Sequence, residues 1–196
     1  MTRAYNKTRR ARKEQETHQK ILDAAISLSC SVGPAATTIS AVATMASVQR
    51  LTVYRHFPGE TDIPVQAVTH WFDHNPLPHR NDWRKDVAAE NWPIAILSML
   101  YSYYGDTKMF WPAVLADRDK LPELNATLEV YDKQLRNMQE DILRHLPHDR
   151  RTSSLCQSVT HHAVQFSTWR TLSDKGLDTV EIAALMEEWI QKCPLG

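Results

Sequence analysis

Glycine and cysteine are scarce in this 196-residue chain, with five of the first and three of the second. Strands bounded by glycine- and asparagine-rich turns have little to build on. Cys30, Cys156 and Cys193 are odd in number and far apart, which excludes a disulfide framework and a CxxC metal knuckle and suits a reducing cytoplasm. Long apolar runs are missing too. The best stretch, Trp92 to Tyr104, is interrupted by Pro93 and falls short of the roughly 18 apolar residues a membrane helix needs. The basic N-terminus is not followed by the apolar core of a secretory signal. A net charge is also lacking, since 23 Lys and Arg balance 23 Asp and Glu, which excludes a polybasic or polyacidic tail protein.

That balance conceals a split. Nine basic and three acidic residues give +6 from Met1 to Phe57, and the remainder carries −6. Such asymmetry predicts one end that meets a polyanion and another with a different task. Apolar residues recur three and four apart almost throughout, so the chain is expected to be all-α, with about nine helices. Ile21, Leu22, Ala25, Ile26 and Leu28 make the stripe of a first helix that begins near Thr8 and ends at Gly33-Pro34. Thr37-Thr38 offers a cap for a short second helix and Gln49 for a third, stopped by Pro58-Gly59; a fourth starts near Thr61-Asp62. Residues 73–82 read as a linker, dividing an N-terminal domain, 1–72, from a C-terminal one, 73–196. Beyond it, helices are predicted from Asp82 to about Tyr104 with a bend at Pro93, from Met109 to Asp117, from Pro122 to Leu146, from Arg150 to Leu172, and from Asp178 to Lys192.

Two short helices joined by a tight turn, beside a basic arm, have the geometry of a helix-turn-helix, here at about 38–57. Close crossing needs a small residue in the first helix, a turn residue four later and an apolar plug six after that. Ala43, Ser47 and Val53 stand at those positions.

At this point the chain resembles a known family. Ile21-Leu22-Asp23-Ala24-Ala25, Gly33, Thr37-Thr38, Val42-Ala43 and especially Thr52-Val53-Tyr54-Arg55-His56-Phe57 are similar to the N-terminal domain of tetracycline-repressor-like (TetR family) regulators, over about Lys20 to Ile63. Residues 166–172, Gly176 and the last amphipathic helix through Trp189 resemble the family's dimerisation helices more weakly. The resemblance implies a three-helix DNA-binding domain and a C-terminal helical domain that binds an effector and dimerises. Arg50, Leu51 and Thr52 would face base edges, with Arg50 able to donate two hydrogen bonds to a guanine, and Gln49 just before them would also meet the DNA. Thr38, Ser40, Tyr54, Arg55 and His56 would meet the DNA, mostly at phosphates, and Arg9, Arg10, Arg12 and Lys13 would follow neighbouring phosphates or a minor groove. The chain departs from the pattern at Ser47, where a glycine is usual in the turn, at Ser29 and Pro34, where bulkier side chains are common, and at Glu60, which replaces a lysine.

Nine of the sixteen aromatics fall between residues 71 and 111, where the resemblance puts an effector pocket. Trp92, Met99, Tyr103, Tyr104, Phe110, Trp111 and Met138 are its candidate lining. Leu155, Val159, Ala163, Phe166, Trp169, Ile182, Leu185, Met186 and Trp189 are candidates for an isologous four-helix dimer interface. No cofactor, metal or membrane is expected. The rival readings are a helical metal-binding enzyme using His70, His74 and His79, and a helical adaptor that does not bind DNA. No GxSxG or Walker loop supports catalysis, and the adjacent His161 and His162 face different ways on a helix.

Overall fold

The computed structural model describes residues 2–59 and 61–194, with side chains from Thr8 onward. The described residues are helical and loop throughout, in twelve α-helices and two 3-10 turns, where nine helices were expected. None is long and apolar enough to cross a membrane. They form two units. One runs through Asn75 and takes in Met109–Thr127; the other comprises Pro76–Lys108 and the chain from Leu128. The segment 109–127, which lies beyond the linker in sequence, groups with the first unit.

In the first unit α1 (Thr2–Val32) begins earlier than the sequence pattern suggested and carries the basic residues on a helix. Its face of Ile21, Leu22, Ala24 and Ala25 is buried. Gly33, at φ 92°, ends it, and Pro34 opens the 3-10 turn Pro34–Ala36, where its missing N–H is no loss. Helices α2 (Ile39–Met45) and α3 (Arg50–His56) follow, then α4 (Asp62–His74), which tolerates Pro64 in its first turn. Val42, Ala43, Val53, Phe57, Ile63 and Ala67 join the α1 face in one core. Each large side chain removed from water there contributes about 1.5–3 kcal/mol. The inserted segment brings α7 (Trp111–Ala116), preceded by Phe110, whose ring lies 3.5 Å from that of Trp71 with planes 2° apart. Trp111 meets Trp71 edge-on at 5.8 Å.

The second unit holds α5 (Arg80–Arg84), a 3-10 turn at Ala89–Asn91, α6 (Trp92–Thr107), most of α8 (Leu124–Leu143), α9 (His148–Thr152), α10 (Ser154–Ala163), α11 (Phe166–Ser173) and α12 (Thr179–Lys192). Pro93 does not bend a helix begun at Asp82. It sits in the first turn of α6, the place a proline fits best, and Asp82 instead serves in the capping box of α5 with His79. Asp178 caps α12 in a capping box with Glu181. The helix expected over Arg150 to Leu172 is three helices, broken where Ser153 and Gln165 take extended backbone angles. At the second break the freed carbonyls of Ala163 and Val164 accept the hydroxyls of Tyr101 and Tyr104, at 2.6 and 2.9 Å. Asp141, fully buried, accepts from Trp83 at 3.0 Å and from both arms of Arg84 at 2.8 and 2.6 Å, which ties α5 to α8. Burial raises the pKa of that carboxyl, but the Arg84 and Trp83 hydrogen bonds and the Arg80 charge outweigh it and leave the value below the usual range. The three thiols are free, Cys156 and Cys193 both buried.

Candidate nucleic-acid interface

The candidate surface is built on the turn between α2 and α3. Thr38 caps α2 by accepting the Ala41 N–H at 3.2 Å. At the other end of α2 the N–H of Ser47 reaches Thr44 O at 3.2 Å and that of Val48 reaches Ala43 O at 2.9 Å. These are the two bonds of a Schellman closure. The closure requires a left-handed residue, and Ser47 supplies it at φ 55°, alone among the described non-glycine residues. The departure at Ser47 has thus kept the usual turn shape in a side chain that resists it.

From that turn α3 points its residues two ways. Val53 and the following Phe57 are fully buried and anchor it from behind. Gln49, Arg50, Leu51, Tyr54 and Arg55 are exposed, Leu51 at 77%, and Thr52 is half-buried. Thr38 and Ser40 are exposed at the start of α2. His56 is half-buried, its Nε2 hidden and without a hydrogen-bond partner. Its ring lies 5.7 Å from that of His18, which stacks on Phe57 at 4.8 Å. Burial, then the neighbouring His56 and His70, lower the pKa of His18.

The basic residues do not form a loose arm. Arg9, Arg10, Arg12 and Lys13 are exposed on the helical stem of α1, with Arg12 paired to Glu16 at 3.1 Å. Arg10, Lys13, Glu14 and Thr17 of α1 and Arg55 of α3 line a cleft of about 250 Å³. Three cations and one carboxylate give it a positive excess suited to an anion. Glu14 and Thr17 were absent from the sequence reading, although the spacing 10, 13, 14, 17 puts all four residues on one helical face. Glu60 lies outside the described residues.

A profile of the tetR family of bacterial regulatory proteins matches residues 21–63, the span of the core and both short helices. Over that segment the chain is similar to the tetR family. The HTH-type transcriptional regulator SrpR of Pseudomonas putida is 33% identical over 91 residues, 46% of this chain and 41% of that protein, so the match spans under half of the curated relative. A solved tetR-like transcriptional regulator from Rhodococcus sp. RHA1 shares the fold, with a TM-score of 0.64 over 89% of this chain and 93% of that one at 13% identity.

The remaining candidates are scattered by comparison. Phe110 and Trp111 sit in the first unit, packed on Trp71. The other pocket candidates are in the second unit. Tyr104 is fully buried with its hydroxyl between Val164 O and the Tyr131 hydroxyl, both at 2.9 Å, and Met138 is likewise buried. Trp92 donates to Val87 O at 3.1 Å and meets the His145 ring edge-on. Met99 and Tyr103 are half-buried, and burial drives the Tyr103 phenol pKa up. Of the aromatic candidates, Tyr104, Phe110 and Trp111 are buried and Trp92 and Tyr103 half-buried. Of the dimer candidates, Ala163, Phe166, Trp169, Ile182 and Met186 are buried within the chain. Leu155 at 41% and Trp189 at 54% are exposed, and Val159 and Leu185 are half-buried. Leu172, Leu185, Met186 and Trp189 are among the side chains lining a mostly apolar groove of about 300 Å³ on α11 and α12.

No three His, Cys, Asp or Glu side chains gather as a metal site among the described residues. His74 Nδ1 bonds the His70 carbonyl at 2.8 Å, His70 Nε2 meets Gln19 at 2.8 Å, and His79 caps α5.

Proposed function

We propose that this chain is a cytoplasmic, sequence-specific DNA-binding transcriptional regulator of the tetR type. It binds a palindromic operator as a homodimer and represses until a small molecule releases it. The observation that carries the reading is the two-sidedness of α3, with Val53 and Phe57 locked in the core while Arg50, Leu51 and Tyr54 stand in solvent. A helix held in this way can enter a major groove without rearranging. The cleft of Arg10, Lys13 and Arg55 supports phosphate contacts beside it. The exposed Leu155 and Trp189 and the apolar groove on α11 and α12 support self-association through those helices. An effector acts only if it binds the DNA-incompetent arrangement more tightly.

Selection of bound sequences from random duplex tests the reading, with a palindrome as the expected product. Arg50→Ala should relax the choice at one base pair and cost about 1–3 kcal/mol per site, whereas Arg10→Ala should weaken all sequences alike. Affinity should fall with salt at a slope near −0.9 per neutralised phosphate. A chain that binds duplex with no salt dependence, or not at all, is the adaptor.

A further inference from the structure

The turn that joins α1 to α2 takes its shape from a distant part of the sequence. Ala35 N–H donates to Asp117 Oδ2 at 2.9 Å, across 82 residues. A Cβ on Gly33 would lie 2.2 Å from the same oxygen, so only a glycine lets the carboxylate lie against the turn. The φ of 92° at Gly33 makes the same demand independently. Asp117 is buried, 5% exposed, and its other oxygen accepts Lys120 Nζ at 2.8 Å. It stands at the C-terminal cap of α7, whose leading end is fastened by Phe110 and Trp111 to Trp71. Within the turn Thr37 donates to Gly33 O at 2.9 Å, and the next residue, Thr38, caps α2. Because α2 and α3 are joined by the tight closure at Ser47, a shift of the turn carries both.

We propose that Asp117 is a positioning residue for DNA reading: it fixes the α1–α2 turn and thereby the tilt of α2 and α3. The segment that carries it continues at one end into α6 and at the other into α8, both chiefly in the second unit. A rearrangement of those helices therefore has a covalent route to one hydrogen bond on the reader. The inference rests on the DNA-binding function proposed above.

The test uses the full chain with Asp117→Ala and Asp117→Asn. Both remove the charge, but only the second keeps an acceptor for Ala35, so their difference isolates the hydrogen bond. Asp117→Ala should speed amide exchange at Ala35 at least tenfold. It should lower affinity for the duplex selected by the wild type about tenfold, 1.4 kcal/mol, while random duplex binds within twofold of before. Asp117→Asn should stay within twofold of wild type in both assays. Coupling is reciprocal, so the selected duplex should slow Ala35 exchange in the unmodified chain, a measurement that stands even if Asp117→Ala fails to fold. Unchanged operator affinity in a folded Asp117→Ala, equal impairment by Asp117→Asn, or no protection of Ala35 by duplex would each overturn the proposal. If the wild type binds no duplex, the regulator reading fails, while exchange in the variants still decides whether Asp117 holds the turn.

Discussion

Ser47→Gly is the sharpest test of the geometry at the reading turn. Ser47 is the left-handed residue of the closure between α2 and α3, at φ 55°. An L-residue in that region costs roughly 1–2 kcal/mol, because its Cβ crowds the following carbonyl. A glycine removes the crowding but frees the unfolded chain, which takes back about 0.4–1 kcal/mol. The balance predicts a gain of about 0.5–1 kcal/mol. At roughly 2–4 °C per kcal/mol for a chain of this size, the melting temperature should rise by about 1–4 °C. Ser47→Ala keeps the crowding and should fall within about 0.5 kcal/mol of wild type. Ser47→Val adds a β-branch that tolerates positive φ worst and should lose more than about 1 kcal/mol. Urea unfolding of the four proteins under one set of conditions gives the order Gly, then Ser and Ala together, then Val. The backbone already has the required shape, so operator affinity should change less than twofold in the glycine variant. A glycine variant less stable than wild type, or a valine variant equal to it, would refute the left-handed assignment.

Two further outcomes follow from the surface of α12 and from the histidines of the reading head. Trp189→Glu puts a charge on an exposed indole of the proposed dimer face; sedimentation should show weaker self-association, by about 2 kcal/mol or more if the indole is a central anchor, and an unchanged dimer would remove α12 from the interface. His18, whose pKa is held below the usual 6.5 by burial and by His56 and His70, contributes stability that is complete above that pH and lost as the pH falls through the lowered value. Amide exchange in α1–α4 between pH 7 and 5 should accordingly show less acid weakening in His18→Gln than in wild type, and an equal slope in both would discard the role of this ring.

The helix-turn-helix was legible because its rules are local. The small residue, turn residue and plug at Ala43, Ser47 and Val53 are set by spacing within a dozen positions, and all three behave as that spacing requires. Thr38 and Asp178 cap helices through bonds to residues three ahead. The same local logic misread the helix over 150–172, whose apolar spacing runs through the break at Gln165 without interruption. The break is stabilised by Tyr101 and Tyr104, some 60 residues upstream, which satisfy the carbonyls it frees. Nor does periodicity separate an aromatic that lines a cavity from one that fills a core, so spacing alone does not decide which aromatics between 71 and 111 line a pocket.

By itself the sequence determined that the chain is helical, where its helix-turn-helix lies, and which side of α3 is free, since helical period and caps depend on neighbours one turn away. The tertiary structure alone decided that residues 109–127 dock with the first unit and that Asp117 grips the turn before α2. A hydrogen bond across 82 positions leaves no trace in local spacing. It exists only once two separately formed helices have packed and the space beside a single glycine has been filled.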